Sequence, residues 1–131
     1  MANSASAVPE LTRDSFAPTI DGRCFAVVDF WAPWCAPCRA FAPVIAAAAA
    51  RHPGILFAKV NTEEERELAG YFGIRSLPTL MIFRDDVIVF AAAGALSAAA
   101  LDEVLAAAAA LDLEAVRREA AQPVGVKAQG T

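Results

Sequence analysis

The apolar positions of the chain fall into short continuous runs, separated by stretches in which apolar residues recur at helical spacing. Cys24-Phe-Ala-Val-Val-Asp-Phe30 and Ile55–Val60 are nearly unbroken apolar runs, the pattern of strands covered on both faces. Leu80–Phe83 and Val87–Ala92 flank Arg84-Asp85-Asp86 and read as a hairpin, while Val8–Leu11 adds a short first strand. Leu11–Phe16, capped by Thr12, predicts a short helix. Cys35–Arg51 predicts a long one, kinked at Pro43 and ended by His52-Pro53-Gly54. Thr62 and Glu65 have the spacing of a capping box and predict a helix from there to about Phe72, closed by Gly73. Ser97 caps a helix with Leu101, Val104 and Leu105 on one face. Asp112 starts a short helix over Leu113–Ala121, and Gln122–Thr131 reads as a frayed tail. Strand, crossover helix and strand imply a right-handed parallel unit, to which the hairpin adds antiparallel strands. The expected architecture is α/β, a mixed sheet between helices.

Composition narrows this picture. Hydrophobic residues make up 57% of the 131, but 32 of them are alanine, so the larger side chains suffice for one core. The alanine blocks Ala46–Ala50 and Ala106–Ala110 read as helix, since alanine is the best helix former. A formal charge of −4 with no basic patch argues against nucleic acid and anionic membrane surfaces as partners. No apolar run approaches the roughly 20 residues that span a bilayer. Met1–Val8 has neither the basic nor the Leu-rich region of a signal peptide, so a cytoplasmic location is expected.

The chemistry concentrates at Cys35-Ala36-Pro37-Cys38. Residues i and i+3 share a helical face, so two sulfurs in the first turn of a helix can meet in a small disulfide ring. Unpaired N–H groups and the helix dipole favour a thiolate at Cys35, and Pro37 suits a first turn that needs no N–H from it. Cys35 is then the attacking sulfur and Cys38 the resolving one. Zinc is the competing use of such a pair, but it needs four ligands, and only Cys24 and His52 remain, without ligand spacing. Asp29, inside Val27-Val28-Asp29-Phe30-Trp31, is expected to be buried with a raised pKa, which suits proton exchange with Cys38. Lys59 is its natural partner if the two strands are neighbours. The alternative is an edge-facing Asp29 and a solvated Lys59 with no role. Cys24 is expected to be a buried small hydrophobe at the strand start, His52 a solvated helix end, and Glu63–Glu67 an acidic run that complements a helix dipole.

With these residues in view, Trp31-Ala32-Pro33-Trp34-Cys35-Ala36-Pro37-Cys38-Arg39 resembles the active-site segment of the thioredoxin family. Asp29, Lys59, Pro43, Pro78 and Gly94 stand where that family's pattern expects them, and the resemblance runs from about Leu11 to Leu111. Phe30–Arg39, Lys59–Leu68 and Phe72–Thr79 are most similar to the second bacterial type of that family, which ordinarily carries an N-terminal four-cysteine zinc module; this chain lacks those cysteines. The resemblance implies the thioredoxin fold, with a mixed five-stranded sheet, over residues 1–111, followed by an extension at 112–131. It further implies a cis Pro78 packed against the cysteine pair, exposing the backbone of Leu77 to an extended client segment. Trp34, Ser76, Leu77, Gly94 and Ala95 would form the shallow apolar docking surface around Cys35.

The activity so implied is protein-disulfide reduction by a monomer without a bound cofactor. Thioredoxin reductase would restore the dithiol with electrons from NADPH, and disulfide-containing proteins would be the clients. The pair lacks the intervening histidine typical of oxidases and isomerases, which favours a reductant. Three departures stand out: Ala36 replaces the family's usual glycine, Asp85-Asp86 replaces a glycine-containing turn, and the extension has no assigned role. The competing reading is a binding module or co-chaperone that uses the fold as a scaffold.

Overall fold

In a computed structural model of the chain, which describes residues 8–121, the apolar runs form one mixed sheet with helices on both faces. The elements are α1 (Arg13–Ile20), β1 (Phe25–Trp31), α2 (Ala36–Arg51), β2 (Leu56–Asn61), α3 (Arg66–Tyr71), β3 (Thr79–Arg84), β4 (Val87–Ala93), α4 (Ala98–Ala109) and α5 (Leu113–Ala121). The tail expected at Gln122–Thr131 lies outside the described residues. The sheet order is β2-β1-β3-β4, with β1 parallel to β2 and the other pairs antiparallel.

Among the described residues the sheet therefore has four strands, not the expected five. Val8–Leu11 contributes a single parallel bridge, Glu10 to Lys59. The Lys59 N–H donates to the Pro9 carbonyl at 3.0 Å, and the Leu11 N–H donates to the Lys59 carbonyl at 2.8 Å. Pro9 has no N–H with which to extend that ladder.

Side chains alternate across β1 and sort the core into two layers. Val27 packs with Phe41, Ile45, Phe57, Leu101 and Leu105, beneath α2 and α4. Ala26, Val28 and Phe30 pack with Phe16, Ile20, Val60 and Leu68, beneath α1 and α3. By the same alternation Asp29 and Trp31 share the α2 face with Val27. Each fully buried large side chain here contributes about 1.5–3 kcal/mol through apolar burial.

Several local expectations change. Helix α1 runs on to Ile20, because Ser15 closes a capping box with Thr12 and Phe16 and Ile20, one turn apart, are both buried. The capping box expected at Thr62 does not form. Asn61 takes its donors: the side-chain oxygen accepts the Glu63 N–H at 2.9 Å, and the carbonyl accepts from Glu64 and Glu65. The Thr62 hydroxyl instead donates to the Trp31 carbonyl at 3.2 Å, and α3 starts only at Arg66. Of the acidic run, Glu67 alone lies in the first turn of that helix and pairs with Arg13, while Glu65 accepts the Arg13 N–H at 2.9 Å.

His52 is half-buried rather than solvated, with Nε2 3.2 Å from Asp102 of α4; Arg51 donates to the same carboxylate at 2.8 Å. These two contacts hold the Asp102 carboxyl below its usual range. At the far end of the sheet, Asp85 and Asp86 adopt φ of 49° and 69°, the left-handed pair that a two-residue hairpin turn requires. Aspartate tolerates that region better than most residues.

Candidate active site

Helix α2 begins at the redox pair for a local reason. Cys35 is its N-cap, with extended backbone (φ −88°, ψ 107°), and its Sγ accepts the Cys38 N–H at 3.2 Å. Ala36 and Pro37 fill the first turn, where no donor is needed. The Arg39 guanidinium donates to the Pro33 carbonyl at 2.8 Å and closes the preceding loop against the helix. Cys35 and Cys38 are joined in a disulfide with Cα atoms 5.2 Å apart. Both are buried, at 5% and 2% exposure, and pack with Ala32, Trp31 and Leu77.

The residues expected around the pair are distributed as follows. The Leu77–Pro78 peptide is cis, and Pro78 is buried. Its carbonyl accepts the Gly94 N–H at 2.8 Å, which ties the segment before β3 to the end of β4. Gly94 has φ of 106°, open to glycine alone without strain. Leu77 packs against the cysteines, and the Ser76 carbonyl accepts the Thr79 hydroxyl at 2.6 Å. Trp34 is 65% exposed beside Cys35, so it is a surface aromatic and not a core one. Ala95, next to Gly94 in the chain, is exposed.

Asp29 is 3% exposed, and its Oδ1 has no hydrogen-bond partner. Burial pushes its pKa up to about 7, with Lys59 pulling it down and Glu10 pushing it up. Asp29 and Lys59 are register partners in the parallel β1–β2 pair, and both line a cleft of about 260 Å³ with Val8, Ala42, Pro43, Ile45 and Ala46. Lys59 makes no ion pair with Asp29; its ammonium lies 3.9 Å from Glu10 and 5.3 Å from the centre of the Trp31 ring.

Cys24 is exposed, contrary to expectation. The strand begins one residue later, at Phe25, and Cys24 enters the sheet only through its carbonyl, which accepts from Asp85 and Arg84. It lies at the opposite end of β1 from the pair. Among the described residues, no three His, Cys, Asp or Glu side chains gather as a metal site, and no helix is long and apolar enough to cross a membrane.

Two contacts escaped the sequence reading. The Trp34 indole N–H donates to Glu63 at 2.9 Å, and the Trp31 indole N–H donates to Glu10 at 3.0 Å. Both link residues more than twenty positions apart, where no spacing rule operates.

The comparisons with known proteins agree with this geometry. The thioredoxin family model matches residues 7–107. The "Putative thioredoxin 2" of Streptomyces coelicolor is 49% identical over 113 residues, covering 86% of this chain and 84% of that one. Thioredoxin 1 of a Nostoc species is 42% identical over 102 residues, covering 76% and 95%. Among solved structures, oxidised mitochondrial thioredoxin 3 of Saccharomyces cerevisiae superposes with a TM-score of 0.71 at 25% identity, covering 79% and 97%. The thioredoxin of Malassezia sympodialis does so at 0.68 and 28% identity, covering 76% and 88%. With its disulfide at the Cys-x-x-Cys position, the chain belongs to the thioredoxin family, as a protein-disulfide reductase of the thiol-disulfide oxidoreductase class.

Proposed function

We propose that Cys35 attacks client disulfides, Cys38 resolves them, and Asp29, tuned by Lys59, carries the proton of the resolving step. The observation that carries this reading is the placement of Cys35 as N-cap of α2, bonded to Cys38, with a buried and unpartnered carboxyl on the same face of the sheet. The Cys35 thiolate attacks one client sulfur, the client S–S bond breaks, and one client thiolate leaves to take up a proton. Cys38 then gives its proton to Asp29 and attacks Cys35 Sγ. The second client thiolate leaves, and the disulfide closes. A carboxyl with pKa of about 7 loads and unloads a proton near neutral pH, which supports its use here.

The oxidised pair takes two electrons and two protons from a second protein. The family points to thioredoxin reductase, fed by NADPH, and to a cytoplasmic setting in which no bound cofactor takes part. Cis Pro78 presents the backbone around Leu77 to an extended client segment, and Trp34, Ser76, Gly94 and Ala95 frame it. Residues 112–131 are an extension to a domain that ends near Leu111.

NADPH-coupled reduction of insulin with a bacterial thioredoxin reductase tests the reading. Turnover is expected with the native chain and is lost in Cys35→Ser. Failure of the native chain, with its disulfide reducible by dithiothreitol, overturns the assigned electron donor. Activity as a holdase that survives Cys35→Ser would instead support the co-chaperone reading.

A further inference from the structure

We propose that Glu10 is a positioning residue for the Asp29 proton: its carboxylate, shared between Trp31 and Lys59, holds the Lys59 ammonium at the rim of the cleft in which Asp29 lies. The inference rests on the proton-carrying role assigned above to Asp29.

The geometry divides the two oxygens of Glu10. Oε2 accepts the Trp31 indole N–H at 3.0 Å, and Oε1 lies 3.9 Å from Lys59 Nζ. The same ammonium lies over the face of the Trp31 ring at 5.3 Å, a cation–π contact. The main chain fixes the arrangement, since Glu10 and Lys59 are bridge partners and the Lys59 N–H and carbonyl bond to Pro9 and Leu11 on either side of Glu10. Lys59 thus pairs with Glu10 while its side chain lines the cleft that also holds Asp29. Trp31 in turn packs against the cysteine pair, so this arrangement abuts the redox centre.

Few other charges face Asp29. Helix α2 contributes Ala42, Pro43, Ile45 and Ala46 to the cleft, β3 places Leu80 opposite Asp29, and α4 brings Leu101 and Leu105 to that face of the sheet. Cys38, the proposed partner in proton exchange, is bonded to Cys35 in the oxidised state and carries no titratable thiol there. Glu64 acts on Glu10 and not on Asp29. Glu10 therefore opposes ionisation of Asp29 in two ways: by its own negative charge, and by drawing toward itself the cation that would neutralise Asp29.

The test is a pH titration of the Asp29 side-chain carboxyl carbon by NMR in the oxidised full-length protein, with the resonance assigned by its loss in Asp29→Asn. Gln at position 10 keeps an oxygen for the Trp31 N–H, so Glu10→Gln removes the charge and spares the fold. The Asp29 midpoint is expected to fall by half a pH unit or more, about a threefold change in its ionisation constant. The pH profile of client reduction should move the same way. In a Lys59→Met background the effect of Glu10→Gln should shrink by half or more, because it runs largely through Lys59. An unmoved midpoint, or an effect undiminished by Lys59→Met, overturns the positioning role. If the reaction's pH profile survives Asp29→Asn unchanged, the proton-carrying role itself fails, a result distinct from the first and one that removes the basis of this inference.

Discussion

Glu63 holds the indole of Trp34 by a 2.9 Å hydrogen bond, and so fixes the orientation of the one large aromatic exposed beside the attacking cysteine. Glu63 is itself steadied by the Asn61 side chain, which accepts its N–H, and by Arg66 at 3.7 Å. An exposed aromatic pinned in this way presents a rigid face to a partner at little entropic cost on binding.

Glu63→Ala should therefore raise KM for a protein disulfide about two- to fivefold, the equivalent of losing one modest hydrogen bond, with kcat unchanged. Steady-state kinetics on insulin separates the two parameters. A drop in kcat at constant KM would show that Trp34 acts in the chemical step.

Asp29 gives the protein a pH-dependent stability whose sign follows from its raised pKa. Folding lifts the carboxyl from 3.8 to about 7, so between those values the native state binds more protons than the unfolded state. Its stabilising contribution is present below about pH 4 and is lost as pH rises through 7. Asp29→Asn should remove this slope and leave the oxidised protein more stable than the native sequence above pH 8, by up to roughly 4 kcal/mol. Urea unfolding at pH 5 and pH 9 checks it, and a native sequence equally stable at both would refute the assignment.

Cys38→Ser should stop the reaction after the first step. The Cys35 sulfur, still the N-cap of α2, attacks a client and stays bonded to it, so clients accumulate as mixed disulfides that dithiothreitol releases. Non-reducing gels read this directly.

Leu101 is fully buried where α4 meets the α2 face of the sheet. Leu101→Ala should cost about 3 kcal/mol through lost burial and a residual cavity. Denaturant midpoints measure it, and insulin reduction at a temperature where the variant stays folded should be close to normal.

Much of the fold was legible because it rests on local pattern. Nearly unbroken runs such as Phe25–Phe30 marked strands buried on both faces, and Ser97 marked the start of α4, its hydroxyl accepting the Ala100 N–H at 3.1 Å. The cysteine pair and Asp29 were legible because each breaks a rule of composition: two thiols in one helical turn, and a carboxylate inside a strand. What stayed hidden depends on partners distant in sequence or on close local competition. Thr62 reads as a cap only if Asn61 is ignored, and Asn61 sits one residue earlier with both a side chain and a carbonyl to offer. Glu10 and Glu63 look like ordinary surface acids until the sheet brings Trp31 and Trp34 to them. Val8–Leu11 reads as a strand by its side chains, but Pro9 limits it to one bridge.

Helix α5 gives the molecule two working ends. Arg117 donates to the Asp85 carbonyl at 3.1 Å, which anchors the helix at the hairpin turn, and the turn adjoins the Phe25 end of β1. The cysteines follow the other end of that strand, about 20 Å away at 3.3 Å per residue. A label carried on α5 itself, for instance at the exposed Glu114, therefore sits at the end of the sheet opposite the redox pair, clear of a client engaged at Cys35.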